Sequence, residues 1–252
     1  MNRRFTIAAV GMAAIGASVV LAQPAKDTKP APGAPASRPA TPAAQPPAST
    51  PAKPATPGHP GKDIPPGALP EGFTPEMMKA CEEAATPGPN HAFLTEAVGT
   101  WTGKSTMWMS AGAPPMTSEC TSVIKPLLDG RFTTCEVSGD MAGMGPFNGF
   151  GLYGYDNVSK KFQMTWVDSC GTGMANGTGE LSSDGRTMTW TFTCPCPIQK
   201  KPVTFREVER RTGKDSMTLE MYGPDIQTGK EYKMMEIAFT RKPGATAGSG
   251  SR

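Results

Sequence analysis

The sequence predicts an all-β fold, an antiparallel up-and-down barrel of about ten strands with a short N-terminal helix, and three observations lead there. The first is the stretch from Phe147 to Ser169, where two runs rich in aromatic and β-branched residues flank the polar break Asp156-Asn157-Val158-Ser159-Lys160. That is the pattern of a β-hairpin with a short loop. The second is a series of ten strand-like segments: 99–109, 117–125, 131–139, 147–155, 161–168, 173–181, 187–193, 202–211, 216–223 and 231–241. Turn signals sit between them at Asp129-Gly130, Asp156-Asn157, Asp184-Gly185, Thr212-Gly213 and Thr228-Gly229. The third is that no helical pattern long enough for a parallel crossover interrupts the series. A long sheet with one apolar face removes its exposed edges by closing on itself.

Taken in order, Met1-Asn2-Arg3-Arg4 is basic, Phe5 to Ala22 is almost wholly apolar, and Val20-Leu21-Ala22 precedes Gln23. Residues 1–22 therefore read as a secretory signal peptide cleaved after Ala22, which places the protein in the periplasm or outside the cell. An apolar run of about 18 residues is borderline for a membrane span. No cysteine follows it to carry a lipid. Residues 23–70 hold 15 prolines and 11 alanines and no aromatic residue. Such a segment buries too little apolar surface to offset its ordering entropy, so a disordered spacer is expected. Extended, it reaches roughly 150 Å, enough for a contact with the cell envelope if something holds its end.

Residues 71–90 form a short helical lead-in. Pro75 suits a first helical position, Glu76 lies in the first turn, and Thr86-Pro87-Gly88-Pro89 stops the helix after Ala85. The barrel is expected over 91–242, entered through a helical turn from His91 to Val98, and residues 243–252 form a frayed tail rich in Gly, Ala and Ser.

Alternation assigns the interior. Phe162, Met164, Trp166 and Asp168 share one face of their segment, as do Met188, Trp190 and Phe192, and Met217, Leu219 and Met221. Between 202 and 211 the apolar residues run Val203, Phe205 and then Val208, a change of phase that suggests a bulge. Gly149, Gly151 and Gly154 strip side chains from the first strand of the hairpin, as strand coiling or close backbone approach requires.

The formal charge of +3 does not describe the folded part. Two signal arginines and three net positive charges in the spacer account for all of it, leaving about −2 for residues 71–252. A chain without basic excess has no means of holding phosphate backbones, which excludes nucleic acid as a partner. The six cysteines, at 81, 120, 135, 170, 194 and 196, are chemically free to pair in an exported chain. Cys120 and Cys135 flank the turn at Asp129-Gly130 and are the candidate disulfide. Cys194-Pro195-Cys196 with Cys170 admits a soft metal such as copper(I), as do Met107-x-Met109 and Met141-x-x-Met144. No His-rich tract accompanies them, and methionine commonly fills irregular cores, so neither a metal nor a cofactor is expected.

Gly99-Thr100-Trp101 opening the first strand resembles the lipocalin (calycin) barrel family, in which a basic residue from the last strand covers that tryptophan. The resemblance implies this covering role for Arg241, with Gly99 and Trp101 as its structural partners. The ordered series His91, Gly99-Thr100-Trp101, Leu128-Asp129-Gly130-Arg131-Phe132, Gly154-Tyr155-Asp156-Asn157, Trp166-Val167-Asp168-Ser169 and Phe239-Thr240-Arg241 is similar to a bacterial domain-of-unknown-function family with a lipocalin-like barrel. The resemblance spans about residues 88–242 and implies a fold but no activity. Nitrobindin, a related haem barrel, carries its proximal histidine near the C-terminus, whereas this chain has no histidine after 91.

The candidate site is an aromatic cavity lined by Tyr153, Met164, Trp166, Met188 and Trp190, with Asp168 at its rim and Arg206, Glu220 or Glu236 as its polar partner. Asp168 either orients a ligand or serves as a base, or it caps the turn at Ser169-Cys170-Gly171. The function expected is an exported binding protein for a small apolar or amphipathic molecule. The alternatives are an isomerase- or lyase-type enzyme using Asp168, and a binding module tethered to the envelope by the spacer. Nothing in the sequence indicates the oligomeric state.

Overall fold

A computed structural model describes residues 72–244, so the expected signal and spacer, and the tail beyond 244, lie outside the described residues. Two helices, α1 (Pro75–Ala85) and α2 (Pro89–Thr95), precede ten strands: β1 (Gly99–Met107), β2 (Met116–Leu127), β3 (Phe132–Asp140), β4 (Pro146–Asp156), β5 (Lys161–Asp168), β6 (Ala175–Leu181), β7 (Thr187–Cys196), β8 (Lys201–Gly213), β9 (Ser216–Pro224) and β10 (Glu231–Arg241). Each strand pairs antiparallel with the next, and β1 pairs with both β2 and β10, so the barrel is closed. Closure leaves no edge strand to recruit another chain.

The barrel unit begins at Ala80, inside α1. Pro75 opens that helix, and none of its residues is buried. At its C-terminal end the Asn157 amide, from the β4–β5 turn, donates to the carbonyls of Glu83, Ala84 and Thr86 at 3.2, 3.2 and 2.8 Å. These carbonyls are among those a helix end leaves without internal partners. In α2 the Gly88 N–H donates to His91 Nδ1 at 3.0 Å, and Leu94 is buried against the barrel.

Side chains alternate inward and outward along the strands, except where the register shifts between Lys233 and Met235 on β10 and both Met234 and Met235 are buried, and this alternation sets what the barrel encloses. Met188 and Trp190 on β7 are each only 1% exposed, and Phe162, Phe192, Phe205 and Phe239 join them in one core. Fully burying a side chain of this size contributes about 1.5–3 kcal/mol. Glycines make room for the largest rings. A Cβ on Gly149 would collide with Trp166 Cζ2, and one on Gly179 would lie 2.6 Å from Trp190 Cε3.

At the α2 end the Arg241 guanidinium lies 4.0 Å from the centre of the Trp101 ring, and its nitrogens donate to the carbonyls of Val98 and Glu96. The Trp101 indole donates to Ala97 O at 2.9 Å. Gly99, Trp101 and Arg241 thus join the first and last strands to the end of α2.

Two expectations are corrected. No bulge breaks the phase between 202 and 211: Val203, Phe205, Glu207, Glu209 and Arg211 all sit on the inward face of β8, Val208 turns outward, and the register shifts only between Arg211 and Gly213. Cys120 and Cys135 do not form a disulfide. Cys120 stands opposite Gly139, whereas Cys135 stands opposite Ile124, four residues further along β2. At about 3.3 Å per residue that offset is roughly 13 Å, well beyond the reach of a disulfide.

Candidate functional site

The barrel interior is not filled. A cavity of about 180 Å³ lies inside it, with α2 contributing Phe93 and Leu94 to the wall at one end. Edge-to-face aromatic pairs run from that end inward: Phe93 against Phe162 at 5.9 Å, Phe162 against Trp190 at 6.3 Å, and Trp190 against Tyr153 at 5.4 Å. Such arrangements place the positive edge of one ring against the negative face of the next. Most of the lining is apolar, including Met164, Met188, Leu219 and Met221.

A polar belt crosses this apolar interior. Glu207 and Glu209, two residues apart on β8, both turn into the cavity, with Glu207 only 7% exposed. Their carboxyls are hydrogen-bonded to each other, and the Trp190 indole donates to Glu209 Oε1 at 3.1 Å. Burial pushes the Glu207 carboxyl well above the ordinary carboxylate value, and the charge and the hydrogen bond of Glu209 push it further. Burial also raises Glu209, but the Trp190 and Glu207 hydrogen bonds and the positive charge of Arg211 oppose the rise. The arrangement is therefore an acid, Glu207, donating its proton to the carboxylate of Glu209. Two like charges this close in a dry site do not both ionise readily.

Tyr153 and Cys135 complete the polar group. Burial lifts the Tyr153 phenol well above its usual value, with Cys135, Glu207 and Glu209 adding to it. Burial pushes the Cys135 thiol up to about 12, a rise opposed by its contact with the Ser122 hydroxyl at 3.2 Å. Neither thiolate nor phenolate chemistry is available near neutral pH at such values. Ser105 and Thr133, 5% and 3% exposed, also line the cavity.

Of the residues expected at the site, Tyr153, Met164, Trp166, Met188 and Trp190 all border this cavity. Asp168 does not. Its Oδ2 accepts from the Trp166 indole at 3.0 Å and its Oδ1 from the Cys170 N–H at 2.9 Å, so it caps the turn after β5 and fixes the Trp166 ring. Arg206 and Glu236 are corrected outright, because both lie on the outer face. Arg206 forms a bidentate pair with Glu231 and stacks 3.9 Å from the Tyr222 ring centre, while Glu236 pairs with Lys233. Each occupies the outward phase of its strand, between inward neighbours Phe205 and Glu207 in one case and Met235 and Ile237 in the other. Sequence reasoning missed Glu207 and Glu209. The regular spacing Val203, Phe205, Glu207, Glu209, Arg211 carried the signal, but it demands two acids in a core, which hydrophobicity alone argues against.

The closed antiparallel ten-stranded barrel, with a helix across one end and space left inside, belongs to the lipocalin-like class. The family model described as "Protein of unknown function (DUF1579)" matches residues 86–241, and the chain belongs to that family. Among solved structures the chain is similar to Rv2717c from M. tuberculosis, with 14% identity and a TM-score of 0.47, covering 62% of this chain and 99% of that one. It is similar also to the S-type phycobiliprotein lyase CPES from Guillardia theta, with 10% identity and a TM-score of 0.43, covering 64% of this chain and 96% of that one. A redesigned β-barrel shows 13% identity and a TM-score of 0.32, covering 59% of this chain and 94% of that one. No curated protein matches it.

Proposed function

We propose that this protein binds a small molecule with an apolar body inside the barrel and holds it away from water. The observation that carries the reading is the cavity of about 180 Å³, walled by aromatic rings and methionines in a barrel whose strands could otherwise have packed it shut. Natural interiors are close-packed, so a space of this size inside a barrel with polar groups aimed into it is the usual form of a ligand site. The basic start and apolar run of residues 1–22 support export to the periplasm or beyond, with the proline- and alanine-rich segment 23–70 as a spacer that could contact the envelope.

Native mass spectrometry of the protein purified from its own host tests the reading, together with tryptophan fluorescence titrated with small lipophiles. Bound mass that disappears on unfolding, or a saturable response from Trp166 and Trp190, supports it. Empty barrels and no response contradict it. The isomerase or lyase reading no longer rests on Asp168, whose oxygens are engaged by the Trp166 indole and the Cys170 N–H. Its acid and base would instead be Glu207 and Glu209, and chemical change of a bound ligand would favour it.

A further inference from the structure

We propose that the ligand is a small lipophilic amine, bound as its ammonium ion with the cationic head at Glu207 and Glu209 and the apolar body against Tyr153, Met188, Leu219 and Met221. This rests on the reading of the barrel as a binding protein and specifies what it takes.

Charge is the first argument. Within the cavity the carboxyl pair faces one cation, Arg211, two residues along the same strand. Arg211 is already in an ion pair with Glu96, donates to Phe93 O and lies 3.7 Å from the Phe93 ring centre. Arg186 and Arg210 also border the cavity, but their charges act on Asp184, and that of Arg210 also on Glu220. The other groups facing the pair are neutral at ordinary pH: the Trp190 indole on β7, the Tyr153 phenol on β4 and the Cys135 thiol on β3. A negative charge on the pair is therefore left without a dedicated counter-ion, and a cation entering the cavity would supply one. Opposite charges in a water-poor site attract far more strongly than at the surface.

Hydrogen-bond inventory is the second. An ionised carboxylate only accepts, and Trp190 satisfies one oxygen of Glu209. Ser105 and Thr133 are more than nine-tenths buried, line the cavity and make no side-chain hydrogen bond to protein among the described residues. The carboxylate of Glu209 accepts only, while the hydroxyls both accept and donate, so the charged end of the site is where donors are wanted. An ammonium brings three donors and no acceptor, whereas an alcohol brings one and a carboxylate none.

Size is the third. An apolar cavity of about 150 Å³ holds benzene, so the space here suits one ring or a short alkyl chain carrying a one- or two-carbon arm. Phenethylamine has this shape, and phenethyl alcohol and 3-phenylpropionate are its neutral and anionic counterparts.

The test is calorimetric titration of the wild-type protein with these three probes near neutral pH, repeated in two buffers of different ionisation enthalpy. The expected result is phenethylamine binding at least tenfold tighter than phenethyl alcohol, no binding of 3-phenylpropionate, and release of up to one proton as the ammonium displaces the proton shared by the pair. In Glu209→Gln the preference for amine over alcohol should fall to within about twofold, and Glu207→Gln should abolish the proton release. Equal affinity for amine and alcohol in the wild type overturns the amine inference and leaves the barrel reading standing. Binding of neither overturns both, and tighter binding of the anion overturns the assignment of charge.

Discussion

Replacing Glu207 with glutamine should change how stability depends on pH more than it changes stability itself. The wild-type Glu207 carboxyl titrates above its unfolded value because it is buried beside Glu209. A group whose folded pKa is raised stabilises the native state fully below its unfolded pKa, about 4.3 for glutamate. That contribution is lost as pH rises toward the folded value. While the folded pair keeps one proton that the unfolded chain has released, the slope is about 1.4 kcal/mol lost per pH unit. In Glu207→Gln the new side chain keeps the volume and offers an amide N–H to Glu209 in place of the shared proton. The variant should therefore lose that slope and become the more stable protein on the alkaline side. Urea unfolding followed by tryptophan fluorescence at pH 5, 6, 7 and 8 measures it, with unchanged denaturant slopes showing that only stability has moved. Parallel pH profiles for the two proteins would refute the argument that Glu207 carries a buried proton.

Other consequences follow from packing and reactivity. Gly149→Ala would drive a methyl group into the Trp166 ring, which lies across β4, and overpacking of this kind should cost about 1–3 kcal/mol in a thermal or urea melt. Arg241→Ala removes the stacking on Trp101 and two charge-assisted hydrogen bonds to the backbone after α2, for an expected loss of about 2–4 kcal/mol; a melting temperature within a degree of wild type would deny the latch its role. Under native conditions iodoacetamide followed by peptide mass mapping should label the exposed Cys81 well before Cys135, whose thiol is pushed up to about 12. Labelling at equal rates would contradict the buried placement.

Much of the architecture could be read from alternation and turn chemistry, because both are local. The hairpin of Phe147 to Ser169 forms β4 and β5, and Phe162, Met164 and Trp166 face inward as their period of two requires. The latch of Arg241 on Trp101 followed from motif resemblance and is seen directly. What alternation could not supply was the phase of a strand whose inward positions are charged. On β8, Val208 looked like an interior residue and Glu207 and Glu209 like exterior ones, because burying a carboxyl is costly unless it is neutralised and hydrogen-bonded. Here each carboxyl is bonded to the other, and Trp190 donates to Glu209, a contact between strands that no spacing in the chain reveals. The same limit displaced Arg206 and Glu236 into the cavity on paper, and it paired Cys120 with Cys135 across a register four residues out.

The most direct examination uses the methionines as reporters. With the methionine methyl groups labelled by ¹³C, Met164, Met188, Met221 and Met235 report from the cavity wall, while Met77 and Met174, at 51% and 57% exposure, report from the surface. Adding phenethylamine or a short-chain alcohol should shift the resonances of the first group saturably and leave the second in place. If the four wall methionines stay unmoved by every small lipophile tried, or if only the exposed ones respond, the barrel interior is not a binding site.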